Sequence, residues 1–148
     1  MAEIRPLIDE GIDRRDLTRI RQRFLALNQV RLERAHSTLS SRQNLVLRLL
    51  PLLLHSNHPL LPGYVSGTTP AGVAGYQPAP ELIKEAQGLA RSFVYRPKSG
   101  YHKGELYSLF LMGSTGSIGY AEQSDMDFWL CHEPGLDPQL LAELRRKC

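Results

Sequence analysis

Long apolar runs are what this sequence of 148 residues lacks most. The longest, Leu45 to Leu54, is broken by Arg48 and Pro51 and falls far short of the roughly 20 residues that cross a bilayer, so no membrane span is expected. The opening MAEIRPLIDEGIDRRD mixes acids with bases and has no apolar centre, which excludes a secretory signal and points to a cytoplasmic location. Cysteine is scarce too. Cys131 and Cys148 cannot build a disulfide framework or a four-thiolate zinc site, and both read as reduced thiols. Eighteen Lys and Arg against fifteen Asp and Glu leave +3, too small an excess to specify a nucleic-acid partner, and none is expected. What remains is ordinary globular material, 42% hydrophobic and 22% charged, which rules out a disordered or fibrous chain.

The first third reads as helical and basic. Leu17, Ile20, Phe24 and Leu27 step by three, four and three along one stripe of a helix opened by Asp13 or Asp16. Arg19, Arg21, Arg23, Arg31 and Arg34 fill much of the rest. Such a face could meet phosphates, but arginine-rich faces are commonly solvated. A second helix is expected from Ser41 to Leu54, with Leu45, Leu49, Leu52 and Leu53 as its apolar face and Pro51 kinking it or starting a new turn. From Ser56 to Pro80, five prolines and four glycines in twenty-five residues exclude regular helix and disfavour interior strands. His55 and His58 could share a metal on one helical turn; with no third ligand nearby, capping or loop packing is the competing role. Pro80 suits the start of a helix over Glu81 to Phe93, with Leu82, Ile83, Ala86, Leu89 and Ala90 on its buried side. A basic loop from Arg96 to Lys103 follows. Leu106 to Met112 reads as a buried strand, Ser124 to Cys131 as a second, and Asp137-Pro138 caps a final helix with Leu140, Leu141 and Leu144 on its apolar face.

The chemistry lies between the two strands. On a regular strand Asp125 and Asp127 project to the same face, because side chains alternate with period two. Two carboxylates side by side repel unless a cation lies between them, and hard oxygen ligands favour Mg²⁺ or Mn²⁺ over zinc. The alternative is that one aspartate caps a turn while the other pairs with an arginine. Ahead of them runs Gly113-Ser-Thr-Gly-Ser-Ile-Gly119, a loop that can present backbone N–H groups and hydroxyls to a phosphate, although it is neither a Walker loop nor a dinucleotide fingerprint. The joint arrangement is informative: an apolar strand, Gly113-Ser114, ten residues, then Asp125-Met126-Asp127 in another apolar strand. It combines a phosphate cradle with a metal-binding pair, as nucleotidyl transfer requires. Trp129 would share the aspartate face on a regular strand, as a stacking surface for a nucleotide base or as a packing residue.

This segment resembles the nucleotidyltransferase superfamily signature, a hydrophobic residue, Gly-Ser, about ten residues and Asp-hydrophobic-Asp-hydrophobic. More narrowly, LFLMGSTGSIGYAEQSDMDFWLCH resembles the catalytic segment of the class I (enterobacterial-type) adenylate cyclases, and the similarity extends to Leu54-His-Ser-Asn-His-Pro-Leu-Leu-Pro-Gly-Tyr64, Lys103-Gly-Glu-Leu106 and Leu27-Asn-Gln-Val-Arg31. The resemblance implies conversion of ATP to 3′,5′-cyclic AMP and pyrophosphate with two Mg²⁺ ions, or Mn²⁺ in their place. Carried onto this chain, Asp125 and Asp127 are the catalytic metal ligands and Gly113 and Ser114 hold the triphosphate. Ser117 is a second phosphate contact, and Lys103 or Lys98 neutralises phosphate charge unless it is simply a solvated loop lysine.

One departure stands out. Family members take a third carboxylate from a later strand, whereas Glu133, Asp137 and Glu143 lie in the turn and helix directly after Asp127, so the third acid is missing here. Members are also much longer, with a regulatory region after the catalytic part that would be this chain's partner. The expectation is therefore an N-terminal fragment, inactive by itself. Transfer of a nucleotide to another acceptor, or a non-catalytic nucleotide-binding or interaction module, are the competing readings. The architecture expected is α+β: a helical segment over residues 1–55, a Pro/Gly-rich loop over 56–80, and over 81–148 the start of a nucleotidyltransferase-like domain with a small mixed sheet.

Overall fold

The computed structural model describes residues 11–96, 105–121 and 124–148. It divides into two compact units, Met1–Leu39 with Ser114–Asp125, and Ser40–Gly113 with Met126–Cys148. The fold is α+β. Among the described residues no helix is long and apolar enough to cross a membrane.

The first unit is built on α1 (Arg14–Thr38). Both candidate caps take part in opening it. The Asp13 carboxylate accepts from the N–H groups of Arg15 at 2.7 Å and Asp16 at 2.8 Å, and the Asp16 carboxylate accepts from the Asp13 N–H, a reciprocal capping box. The helix forms as expected, but its apolar stripe does not become core: Ile20, Phe24 and Leu27 are 56%, 54% and 59% exposed. The buried position is Ala35, where the loop after Gly113 packs onto the helix. Gly116 lies so close that a Cβ placed on it would stand 2.2 Å from the Arg31 carbonyl oxygen.

The second unit contains α2 (Ser41–His55), α3 (Pro80–Leu89), β1 (Leu106–Met112), β2 (Asp127–His132) and α4 (Pro138–Lys147). Ser40 and Gln43 form the capping box of α2, which continues through Pro51 as one helix rather than restarting there. Leu49 and Leu52 are buried with Leu61, Ala86 and Phe93, and Leu54 is buried with Leu106 and Leu144. Leu49 and Leu52 are buried as expected, but Leu45 is exposed, because the helix turns Leu47 inward in its place. The third helix is shorter than its pattern suggests. It ends at Leu89, which is half exposed rather than buried, and the Phe93 N–H donates to the Ala90 carbonyl oxygen at 2.8 Å, folding Phe93 back into the core. Arg48 and Glu85 pair on the surface between α2 and α3.

The two strands pair antiparallel, with Phe110 opposite Trp129 and Met112 opposite Asp127. Val73 adds a single parallel bridge to Leu106. Leu109 and Leu130 face the core; the alternate residues of β2 face outward.

Residues 56–79 are held by backbone turns and side-chain hydrogen bonds rather than by helix or strand. His55 Nδ1 accepts the Val73 N–H, His58 Nδ1 accepts the Leu60 N–H, and the His58 ring meets Phe93 edge-on. Both histidines therefore serve the fold, which is the capping and packing role. Glu143 of α4 gathers the hydroxyls of Ser66, Thr68 and Thr69, the first at 2.6 Å. The Ser66 hydroxyl foremost, then those of Thr69 and Thr68 with Arg146 nearby, hold its carboxyl below the usual range against the opposing effect of burial. A carboxyl lowered on folding stabilises fully above its unfolded value of about 4.3 and loses that contribution as pH falls through the native value. Thermal unfolding should accordingly show Glu143→Gln less stable than the parent at pH 7, with the gap narrowing on acidification to about pH 3. A gap independent of pH would contradict this.

Candidate active site

Gly113 ends β1, and its left-handed backbone (φ +73°) turns the chain out of the strand. Asp127 begins β2, directly opposite Met112. The two ends meet closely: a Cβ on Gly113 would stand 3.3 Å from Asp127 Oδ2. A side chain here would press on an exposed carboxylate that forms no ion pair among the described residues. Along β2 the exposed residues alternate with half-buried ones, so Asp127, Trp129 and Cys131 share the outward face. Trp129 is 63% exposed, which separates it from a packing residue, and Phe110 opposite it is 41% exposed. The sequence signals Trp129 by alternation; Phe110 takes its significance from the register, which sequence alone does not supply.

The loop residues belong to the first unit. Ser114 accepts through its carbonyl oxygen from the Ser117 N–H at 2.8 Å and from the Ser117 hydroxyl at 2.6 Å. The Ser117 hydroxyl in turn accepts the Gly119 N–H, so its proton and one lone pair hold the turn. Thr115 is 1% exposed, with its hydroxyl unpartnered among the described residues.

Asp125 corrects one expectation. It precedes β2 instead of lying within it, so strand alternation does not extend to it. The physical reason is Gly113: β1 turns away after Met112, so among the described residues the ladder has no partner for residues before Asp127. Lys98 and Lys103 fall outside the described residues. The acids downstream are engaged elsewhere, Asp137 as the cap of α4 and Glu143 with its three hydroxyls. Among the described residues no group of three or more His, Cys, Asp or Glu side chains gathers into a metal cage.

The family model described as the adenylate cyclase NT domain matches residues 16–148. The chain belongs to the adenylate cyclase NT-domain family. It is 41% identical over 131 residues to the adenylate cyclase of Proteus mirabilis, 39% over 134 residues to that of Escherichia coli K12 and 37% over 131 residues to that of Yersinia pestis. Each match covers 87% of this chain and 15% of the relative, so the chain spans about one seventh of the length of these adenylate cyclases. No solved structure matches it. The stretch holding Gly113, Ser114, Asp125 and Asp127 lies wholly within the matched adenylate cyclase domain.

Proposed function

We propose that this chain is the N-terminal catalytic part of an adenylate cyclase that, as the full-length protein, converts ATP to 3′,5′-cyclic AMP and pyrophosphate in the cytoplasm. The observation that carries the reading is the exposed Asp127 carboxylate set against the side-chain-free Gly113 turn, with no ion pair among the described residues. Mg²⁺ suits that donor chemistry, since it takes one or two carboxylates and fills its remaining positions with water and phosphate oxygens.

In this reading Asp127 and Asp125 are the metal ligands, and Gly113 and Ser114 receive the triphosphate. Ser117 acts mainly by holding the turn, having committed its proton to the Ser114 carbonyl. Two bound Mg²⁺ ions, or Mn²⁺ ions, would supply acidification of the ribose 3′-hydroxyl and neutralisation of charge on the departing pyrophosphate. Lys103 is assigned to phosphate neutralisation. The third carboxylate and a regulatory region are assigned to the longer protein.

Calorimetry with a non-hydrolysable ATP analogue tests this. The chain should bind it only when Mg²⁺ is present, and Asp127→Ala should weaken binding at least about tenfold, equivalent to about 1.4 kcal/mol. Metal-independent binding, or binding indifferent to Asp127→Ala, would overturn the proposal. Incubation of full-length protein with ATP followed by chromatography should yield cyclic AMP; a nucleotidylated acceptor instead would move the assignment to transfer.

A further inference from the structure

We propose that Trp129 and Phe110 form the surface on which the adenine ring of the nucleotide lies. This rests on the ATP reading above and goes beyond it by assigning the base-binding residues. Three observations lead there. The first is exposure. Large aromatic side chains normally enter the core, yet these two are 63% and 41% exposed while Leu109 and Leu130, next to them in sequence, are packed on the opposite face of the same strands. The second is register. Phe110 lies directly opposite Trp129, so the two side chains leave the sheet side by side on one face.

The third observation is position relative to Asp127. Trp129 is the next residue on the Asp127 face, and same-face neighbours along a strand stand roughly 6.6–6.8 Å apart. That is a distance a ribose can bridge between phosphate and base. Polarity along the face runs in the matching order: carboxylate and glycine turn at the end of the strands, aromatic pair one step inward. A nucleotide laid along it places its triphosphate at the Gly113 turn and its flat, weakly hydrated ring on the indole. Stacking on an aromatic side chain tolerates any base, so this surface provides affinity and orientation rather than discrimination of adenine from guanine.

Trp129 is the sole tryptophan among the 148 residues, so intrinsic fluorescence reports this position alone. The chain is titrated with ATP and separately with inorganic tripolyphosphate, each with Mg²⁺, by fluorescence and calorimetry. ATP should quench the indole emission, whereas tripolyphosphate should bind with little quenching. Trp129→Ala should weaken ATP about tenfold while changing tripolyphosphate affinity less than about twofold, and Trp129→Phe should restore most of the loss. Phe110→Ala should show the same pattern with a smaller effect. Circular dichroism identifies any variant that fails to fold, in which case Trp129→Phe and the emission response of the parent decide.

If Trp129→Ala leaves ATP affinity unchanged while Asp127→Ala abolishes it, the base surface is wrong and the nucleotide reading stands. Emission that shifts with protein concentration and ignores ATP would assign the face to a second copy and overturn the proposal. Failure of ATP and tripolyphosphate alike to bind the parent would remove both.

Discussion

Phe93→Ala should destabilise the second unit by about 3–5 kcal/mol, the cost of deleting a large aromatic ring from a core that cannot collapse onto the space. Phe93 is 1% exposed and sits with Leu49, Leu52, Leu61 and Ala86, while the His58 ring meets it edge-on at 5.1 Å between centroids. Its truncation strips contacts from α2, from the turn carrying Leu61 and from α3 together. The comparison is Leu89→Ala, four residues earlier, where the side chain is half exposed and the change should stay within about 0.5 kcal/mol. Urea unfolding of both variants, compared by midpoint at unchanged slope, provides the check. Equal costs at the two positions would show that the buried position of Phe93 is wrong.

The second large effect is expected at Gly116. A methyl group there would approach the Arg31 carbonyl oxygen to 2.2 Å and its carbon to 3.0 Å, and because both are helix backbone neither can rotate aside. The left-handed backbone, φ +75°, adds strain for any side chain. Together these predict about 2–5 kcal/mol for Gly116→Ala, divided between conformational strain and overpacking. Gly75 separates the two terms. Its φ is +68° but a Cβ there meets nothing within 4 Å, so Gly75→Ala should cost only the strain, about 1–2 kcal/mol. Hydrogen exchange localises the damage: in Gly116→Ala the amide of Ser117, held by the Ser114 carbonyl, should lose protection. Retained protection with unchanged stability would mean that the loop does not rest on the helix as described.

Much of the fold is written in local pattern. The capping box at Asp13, the span of β1 and the Asp137-Pro138 start of α4 follow from short-range hydrogen bonding and side-chain alternation, and each lies where its residues place it. What was not legible depends on distant partners. Periodicity marks Ile20, Phe24 and Leu27 as one stripe but cannot say what, if anything, covers it. Phe93 looks like the last turn of α3, yet Gly88 weakens that end and burial is reached through a turn at Ala90 instead. The hydroxyls gathered by Glu143 come from more than seventy residues away, beyond any local signal.

The candidate site divides along the same line. Spacing brings out Gly113 and Asp127, and their close approach requires only that β1 and β2 pair as a hairpin-like ladder. The apolar pattern extends the strand back to Asp125, whereas β2 begins at Asp127. That start is decided by where the opposing strand ends, a tertiary fact. Phe110 carried no chemical signal, since it is an ordinary aromatic in an apolar run until the register sets it beside Trp129.

The same ladder has a consequence for handling the protein. On its far edge the first strand meets the Val73 bridge at Leu106 alone, while the second has one neighbour among the described residues. Among the described residues its outer rim is a row of unpaired strand amide and carbonyl groups, to which an extended polypeptide of matching length could pair. Cys131, an exposed thiol, lies in that same strand, so edge pairing of two copies in an oxidising solution would bring oxidisable thiols onto the shared ladder, and a reducing buffer removes that route to a covalent dimer.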